Sequence, residues 1–325
     1  PLVLTYHTKF DIDIANIMHS RALQEASKRA LLENINACDE VWAVSKGAAD
    51  NLRSLGYEGE CIVMHNGVDL PKGRVSQEAI ATVTDGFDLP ADVPVYLFVG
   101  RIMWYKGLKI ILDALAALNQ DGKDFRMVFV GGGGDFEEVR AYSEQAGLNQ
   151  KVFFAGPVHE REALRAWYCR ADLFLFPSTF DTNGLVVREA AACGLGSVLI
   201  SGSCAAEGVT NERNGLLIEE NALALAQCLR GLSKEAMALI GRYAQEELYL
   251  SWEDAVATAQ ERYQIVIDRY RSGAYAPYRK HMEPVFKANG ELMEGLAKLE
   301  DSRQALRSRI SDLLAESKEH LKDIL

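Results

Sequence analysis

Two cations and two carboxylates sit where turns interrupt apolar runs. In GRIMWYKG (100–107), Arg101 directly follows an apolar run and Lys106 directly precedes a helical one. Backbone N–H groups at a helix start favour an anion, and two cations beside them could flank a pair of phosphates. Two solvated loop cations would read the same way. The stretch is not a P-loop, because the glycine count and the Lys-Ser/Thr ending are missing. In TFDTNGLVVREAAACGLG (179–196), Thr182-Asn183-Gly184 is the turn, with Asp181 before it and Glu189 within the first two helical turns. Asp181 suits an N-terminal cap as well as a ligand contact. Glu189 is costly to bury on so small and apolar a helix unless it is hydrogen-bonded. Ribose hydroxyls would supply partners, as would Arg188 or solvent. His7 ends the first apolar run, where a lone histidine is more often structural than catalytic. GGGGD (131–135) lacks the full dinucleotide-binding pattern. Its glycines fit a tight turn against neighbouring loops, with ligand contact as the second reading.

These residues need a scaffold, and the whole chain limits which one. At 325 residues there is room for two domains. With 48% hydrophobic and 25% charged residues the composition is that of a soluble globular protein. The net charge of −11 argues against a nucleic-acid partner. The six cysteines, at 38, 61, 169, 193, 204 and 228, show no C-x-x-C spacing and read as reduced thiols of a cytoplasmic protein. No apolar run reaches the ~20 residues needed to span a bilayer, and no signal peptide is visible. No hydrolase elbow or metal-binding constellation is visible either. PLVLTYHT reads as the middle of a fold, so an N-terminal truncation is expected.

Residues 2–6 read as a strand, SRALQEASKRALLENINACD as a helix, and EVWAVS (40–45) and CIVMHNGVD (61–69) as further strands around a short helix. Pro71 to Asp92 is polar and weakly patterned, and is read as a linker. From Pro94, strands and helices alternate through GLLIEEN (215–221). Short, nearly continuous apolar strands between amphipathic helices predict a parallel sheet covered on both faces. In such sheets ligands bind beyond the carboxyl ends of the strands, and each residue singled out falls at such an end. The expected division is 1–70, 71–260 and a helical tail at 261–325. In the tail, Leu292, Leu299, Leu306 and Leu313 recur every seven residues. That repeat fits a homodimer seam or a helix folded back on the protein.

Together, YHT (6–8), HNGVD (65–69), GRIMWYKG (100–107), PSTFDTNGLVVREAAACGLG (177–196) and SCAAEGVTNERNGLLIEEN (203–221) resemble the retaining, nucleotide-sugar-dependent glycosyltransferases of the group 1 (family 4-like) type. The likeness runs over roughly residues 1 to 260. It implies an α/β fold of GT-B type: two Rossmann-like, doubly wound parallel-sheet domains, the first incomplete, with a helical C-terminal tail. It implies transfer of a hexose, glucose or galactose from a UDP-sugar, to a hydroxyl acceptor, with no cofactor and no metal. By the resemblance, Arg101 and Lys106 grip the donor diphosphate, and Glu189 holds the ribose. Asp181 contacts the hexose, and Asn183, Gly184 and Leu185 offer backbone N–H groups. His7 reaches the sugar across the cleft, and the loop at Pro157 and Val158 receives the base.

Three departures stand out. Asp181 occupies the place of a usual Glu, Asn183 that of an aromatic, and Gly196 that of a common Pro. The YHTKFD run (6–11) also resembles bacterial diacylglycerol glucosyltransferases, so the acceptor is expected to be a membrane glycerolipid or a glycan. In the lipid case RYRSGAYAPYRKHMEPVFK (269–287) would make peripheral contact with the inner face of the cell membrane. A degenerate homologue acting as a nucleotide-sugar-binding scaffold is the alternative. An NAD-dependent oxidoreductase is a third reading, without a complete fingerprint.

Overall fold

The computed structural model describes residues 1–18 and 20–275, with single positions at 290, 295, 298, 302 and 309. The heptad leucines and the segment beyond residue 275 lie outside the described residues.

Two parallel sheets organise the chain. The first holds β1 (Val3–Tyr6), β2 (Glu40–Ala43) and β3 (Cys61–Val63) in that spatial order, with Val41 paired to both Leu4 and Cys61. Its core gathers Tyr6, Ile35, Val41, Ala43 and Leu52. The connections are helical: α1 (Phe10–Ile17), α2 (Arg21–Asn36) and α3 (Lys46–Ser54). The sequence reading omitted α1, because F-D-I-D-I alternates with the period of a strand.

Between the sheets, the stretch read as an unpatterned linker contains a helix, α4 (Gln77–Thr84). Ser76 caps it by accepting from the Ala79 N–H at 3.2 Å. Ile80 is buried and joins the core of the second sheet, as does Leu70. One buried residue in two turns is too little signal for a periodicity argument, although the Ser cap was legible.

The second sheet carries β4 (Val95–Val99), β5 (Arg126–Val130), β6 (Val152–Gly156), β7 (Leu173–Phe176), β8 (Ser197–Ile200) and β9 (Leu216–Ile218). Their spatial order is β6-β5-β4-β7-β8-β9, all parallel. All five residues of β4 and all four of β7 are buried, which accounts for their unbroken apolar sequences. The helices are α5 (Leu108–Gln120), α6 (Phe136–Gln145), α7 (Arg161–Arg170), α8 (Leu185–Ala192), α9 (Ala222–Arg230) and α10 (Lys234–Glu247). In α5 the buried residues Leu108, Ile111, Leu112, Leu115 and Leu118 form one helical stripe. Strand order reverses between β4 and β7, so their carboxyl ends diverge into a crevice.

The last described helix, α11 (Trp252–Arg271), leaves the second unit and packs on the first sheet, running through the position expected as the start of the tail. Arg262 donates to both oxygens of Glu40, at 2.7 and 2.8 Å, and the Tyr263 ring lies 4.8 Å from that of Trp42. Glu40 is only 6% exposed. Burial pushes its carboxyl up, but hydrogen bonds from Arg262 and Trp42 outweigh that and hold it below its ordinary value. All six cysteines are free thiols. Among the described residues no helix is long and apolar enough to cross a membrane.

Candidate active site

The crevice at the β4/β7 reversal is where the chemistry-bearing residues converge. After β4 the chain makes a single turn, Trp104–Lys106, that ends on Gly107 with φ +77°. A Cβ at Gly107 would collide with the carbonyl of Pro177, so only glycine lets the β4 and β7 loops meet here. That meeting carries Lys106 to Asp181, with Nζ 2.5 Å from Oδ1. The other carboxylate oxygen accepts from Ser178 Oγ at 2.6 Å. Asp181 is therefore not the cap of α8. The capping position is Gly184, at φ +59°, without a side-chain bond. Lys106 is buried, its ammonium 5.8, 5.8 and 5.6 Å from the ring centroids of Tyr105, Phe176 and Phe180. Arg101 is exposed, stacked 6.0 Å from the Tyr105 ring centroid.

A cleft of about 320 Å³ opens beside this pair. From the second unit it is lined by Lys106, Asp181, Asn183, Gly184 and Leu185, and from the first by His7, Val44 and Asn66. The two sides are joined through the Asp181 loop. Thr182 Oγ1 donates to the His7 carbonyl at 2.7 Å, Ser45 Oγ to the Thr182 carbonyl at 2.5 Å, and Lys9 Nζ to the Thr179 carbonyl at 3.0 Å. Glu207 of the second unit also accepts from the Lys46 N–H at the start of α3, at 2.9 and 2.7 Å. A carboxylate at a helix N-terminus meets unsatisfied N–H groups and the positive end of the helix dipole.

Glu189, Arg101, Pro157 and Val158 stand outside the cleft lining. Glu189 is largely buried in α8 and accepts from Tyr168 Oη at 2.9 Å. Burial pushes its carboxyl up, against the pull of the Tyr168 hydrogen bond and of Arg161. Arg188, a candidate partner by sequence, instead donates to the Leu248 carbonyl at 3.1 Å. Pro157 and Val158 follow β6 at its carboxyl end, Pro157 exposed and Val158 half-buried. The glycine run after β5 has the packing role: a Cβ at Gly131 would strike the Gly100 carbonyl, and one at Gly133 the Ile102 carbonyl. Among the described residues no three His, Cys, Asp or Glu side chains gather as a metal-ligand group.

Four residues of the site escaped the sequence reading. Ser178 stood three residues before Asp181, and Asn66 inside HNGVD, so both were within sight. Tyr168 and Ser45 left no local signal, because each acts across a fold contact: Tyr168 on a residue 21 positions away, Ser45 on one 137 away.

Residues 84–245 match the family described as glycosyl transferases group 1, and residues 1–72 that described as glycosyltransferase family 4. A D-inositol 3-phosphate glycosyltransferase of Xylanimonas cellulosilytica is 29% identical over 279 residues, covering 81% of this chain and 66% of its own. One from Streptomyces coelicolor is 28% identical over 302 residues, covering 83% and 65%. The chain thus spans less than two thirds of the length of these curated relatives. Among solved structures, Anabaena HepE in complex with UDP and glucose superposes with a TM-score of 0.69 at 22% identity, over 81% of this chain and 71% of that one. Sucrose-phosphate synthase from Thermosynechococcus elongatus gives 0.68 at 24%, over 82% and 68%. With one family matched across the first sheet and the other across the second, the chain belongs to the group 1 glycosyltransferases and has their GT-B fold.

Proposed function

We propose that this protein transfers a hexose, glucose or galactose, from a UDP-sugar to a hydroxyl acceptor with retention of configuration and without a resident metal. The observation that carries this reading is the Lys106–Asp181 pair, held at the β4/β7 reversal and facing His7 across the cleft. A nucleoside diphosphate leaving a sugar develops negative charge. Fixed cations at that point stabilise it electrostatically. Lys106 is fixed by burial, and Arg101, exposed beside the Tyr105 ring, supplies a second cation. Glu189, with Tyr168 steering its carboxylate, accepts from the ribose hydroxyls. Gly184 and Leu185 present the open N–H groups of α8 to the hexose. Asp181, held by Lys106 and Ser178, borders the sugar. The complex of Anabaena HepE with UDP and glucose supports the choice of donor.

The names of the curated relatives favour a hydroxyl on a phosphorylated polyol as acceptor, beside the glycerolipid or glycan expected from sequence. A thermal-shift panel of UDP-, GDP- and ADP-hexoses tests the reading, because a ligand that binds only the folded state raises its melting temperature. A selective rise with UDP-hexoses, followed by release of UDP on addition of acceptor, is expected. No rise with any UDP-sugar would remove the assignment.

A further inference from the structure

A second cavity, of about 650 Å³, opens at the amino ends of β7 and β8, the opposite end of the sheet from the Lys106–Asp181 pair. Its walls are the Arg74 segment that joins the two units, the turns leading into β7 and β8, and one face of α10. On that face Lys234, Ala238, Arg242 and Gln245 follow one another at helical spacing. Both ends of the face are fixed toward the strand starts. Lys234 Nζ lies 3.0 Å from Asp172 Oδ2, and Gln245 Nε2 donates to the Ala192 carbonyl at 2.7 Å. Arg242 stands between them, exposed, with no hydrogen-bond or ion-pair partner among the described residues. Arg74, also exposed, donates through Nη2 to the carbonyl of Cys169, another residue of the cavity wall.

The charges around this cavity do not balance. Asp172 is already matched, by Lys234 and by the Val95 N–H at 2.9 Å. The Glu235 carboxyl is held below its ordinary value by its own backbone N–H and by Ser233 at the start of α10. Arg170 is half-buried and donates at 2.7 and 3.0 Å to the carbonyls of Leu89 and Pro90. Burial pushes its guanidinium below its ordinary value, against the pull of Asp172. A cation drawn out of water without an anion bonded to it is costly. Arg74, Arg170 and Arg242 thus line one cavity, and among the described residues no carboxylate bonds to any of them. The chain as a whole carries a net charge of −11, so this patch is positive against the general balance.

We propose that this cavity is a second ligand site, taking a phosphate monoester on a small polar body, such as a sugar phosphate, with the phosphate between Arg74 and Arg242. Guanidinium groups present paired N–H donors to oxyanions. A carboxylate would bring one negative charge against three arginines, whereas a phosphate monoester brings about two, with three acceptor oxygens. The volume exceeds what a phosphate alone fills and falls within the range of small-molecule sites. Gln245 and the Lys234–Asp172 pair make the remaining wall polar, which suits hydroxyls on the rest of the ligand.

The test is calorimetric titration of the full chain with glucose 6-phosphate and with glucose, at low and at high salt. Glucose 6-phosphate is expected to bind at about 1 mM or tighter, more weakly as salt rises, and glucose not at all. Combining Arg74→Gln with Arg242→Gln should weaken that binding at least about tenfold. Binding to the wild type should persist with UDP in the buffer. Absence of saturable binding by the wild type, or unchanged affinity in the double variant, would overturn the assignment. Displacement by UDP would overturn it too, by placing the phosphate in the donor cleft, and so would equal binding of glucose. If the double variant melts early, Arg242→Gln alone is titrated against the same outcomes, since Arg242 is exposed and unpaired among the described residues.

Discussion

Lys106 Nζ and Asp181 Oδ1 lie 2.5 Å apart although 75 residues separate them, and their side chains are only 9% and 22% exposed. Removing one member of so sheltered a pair leaves the other poorly compensated. Lys106→Met is expected to destabilise the fold by about 3 kcal/mol in urea titration and to weaken UDP binding at least tenfold. Adding Asp181→Asn should restore part of the stability and none of the binding. Additive stability losses in that cycle would show that the two side chains do not interact.

The two glutamates treated differently by burial should give opposite pH dependences. The Glu40 carboxyl is held below its ordinary 4.5, so the native state sheds its proton first. Its contribution is full above 4.5 and is lost as pH falls through the native value. The Glu189 carboxyl is raised above 4.5, so the native state keeps its proton longer. Its contribution is full below 4.5 and is lost as pH rises through the native value. Glu189→Gln should therefore raise the melting temperature at pH 7 and reduce nucleotide affinity, whereas Glu40→Gln should lower it there. Melting curves between pH 3 and 8 decide the matter.

Tyr168 is a positioning residue, fully buried, with its hydroxyl 2.9 Å from Glu189. Tyr168→Phe removes one oxygen and leaves a buried carboxylate short of a donor, at a cost of about 1–3 kcal/mol. UDP affinity should fall several-fold, with a pH profile shifted toward higher pH. A simple structural role would lower stability without moving that profile.

Gly184→Ala should be disruptive out of proportion to one methyl. The position has φ +59°, and the added carbon would lie 2.8 Å from Ala205 Cβ and 2.9 Å from its Cα. Backbone strain and overpacking together are expected to cost roughly 2–4 kcal/mol. Chemical denaturation measures it, and a loss below about 1 kcal/mol would mean the loop relaxes freely.

Most of the second sheet was legible because both faces of its strands are buried, as in VYLFV at β4 and LFLF at β7, and such runs announce themselves. The sites at their carboxyl ends followed from topology. What sequence could not convey was pairing at a distance. Lys106 and Asp181 were both singled out, each for a ligand, yet nothing local says that they bond to each other. The capping reading of Asp181 failed for the same reason, a partner outside its own helix. No element was expected at α1, where F-D-I-D-I offers no helical period and no described side chain is buried.

The attachment of α11 bears on how the chain is made. Glu40 is synthesised 222 residues before the Arg262 that neutralises it. A ribosome adds about 5–20 residues per second, so the first unit spends roughly ten seconds or more with an unmatched carboxylate where its core must close. The second sheet is complete by Ile218, and its own late partners, Met237, Ile240 and the Leu248 carbonyl that Arg188 meets, all precede Arg262. The later-made unit thus has all its partners before the earlier-made one does, and the first sheet is sealed last, by a helix that follows the whole of its neighbour in sequence.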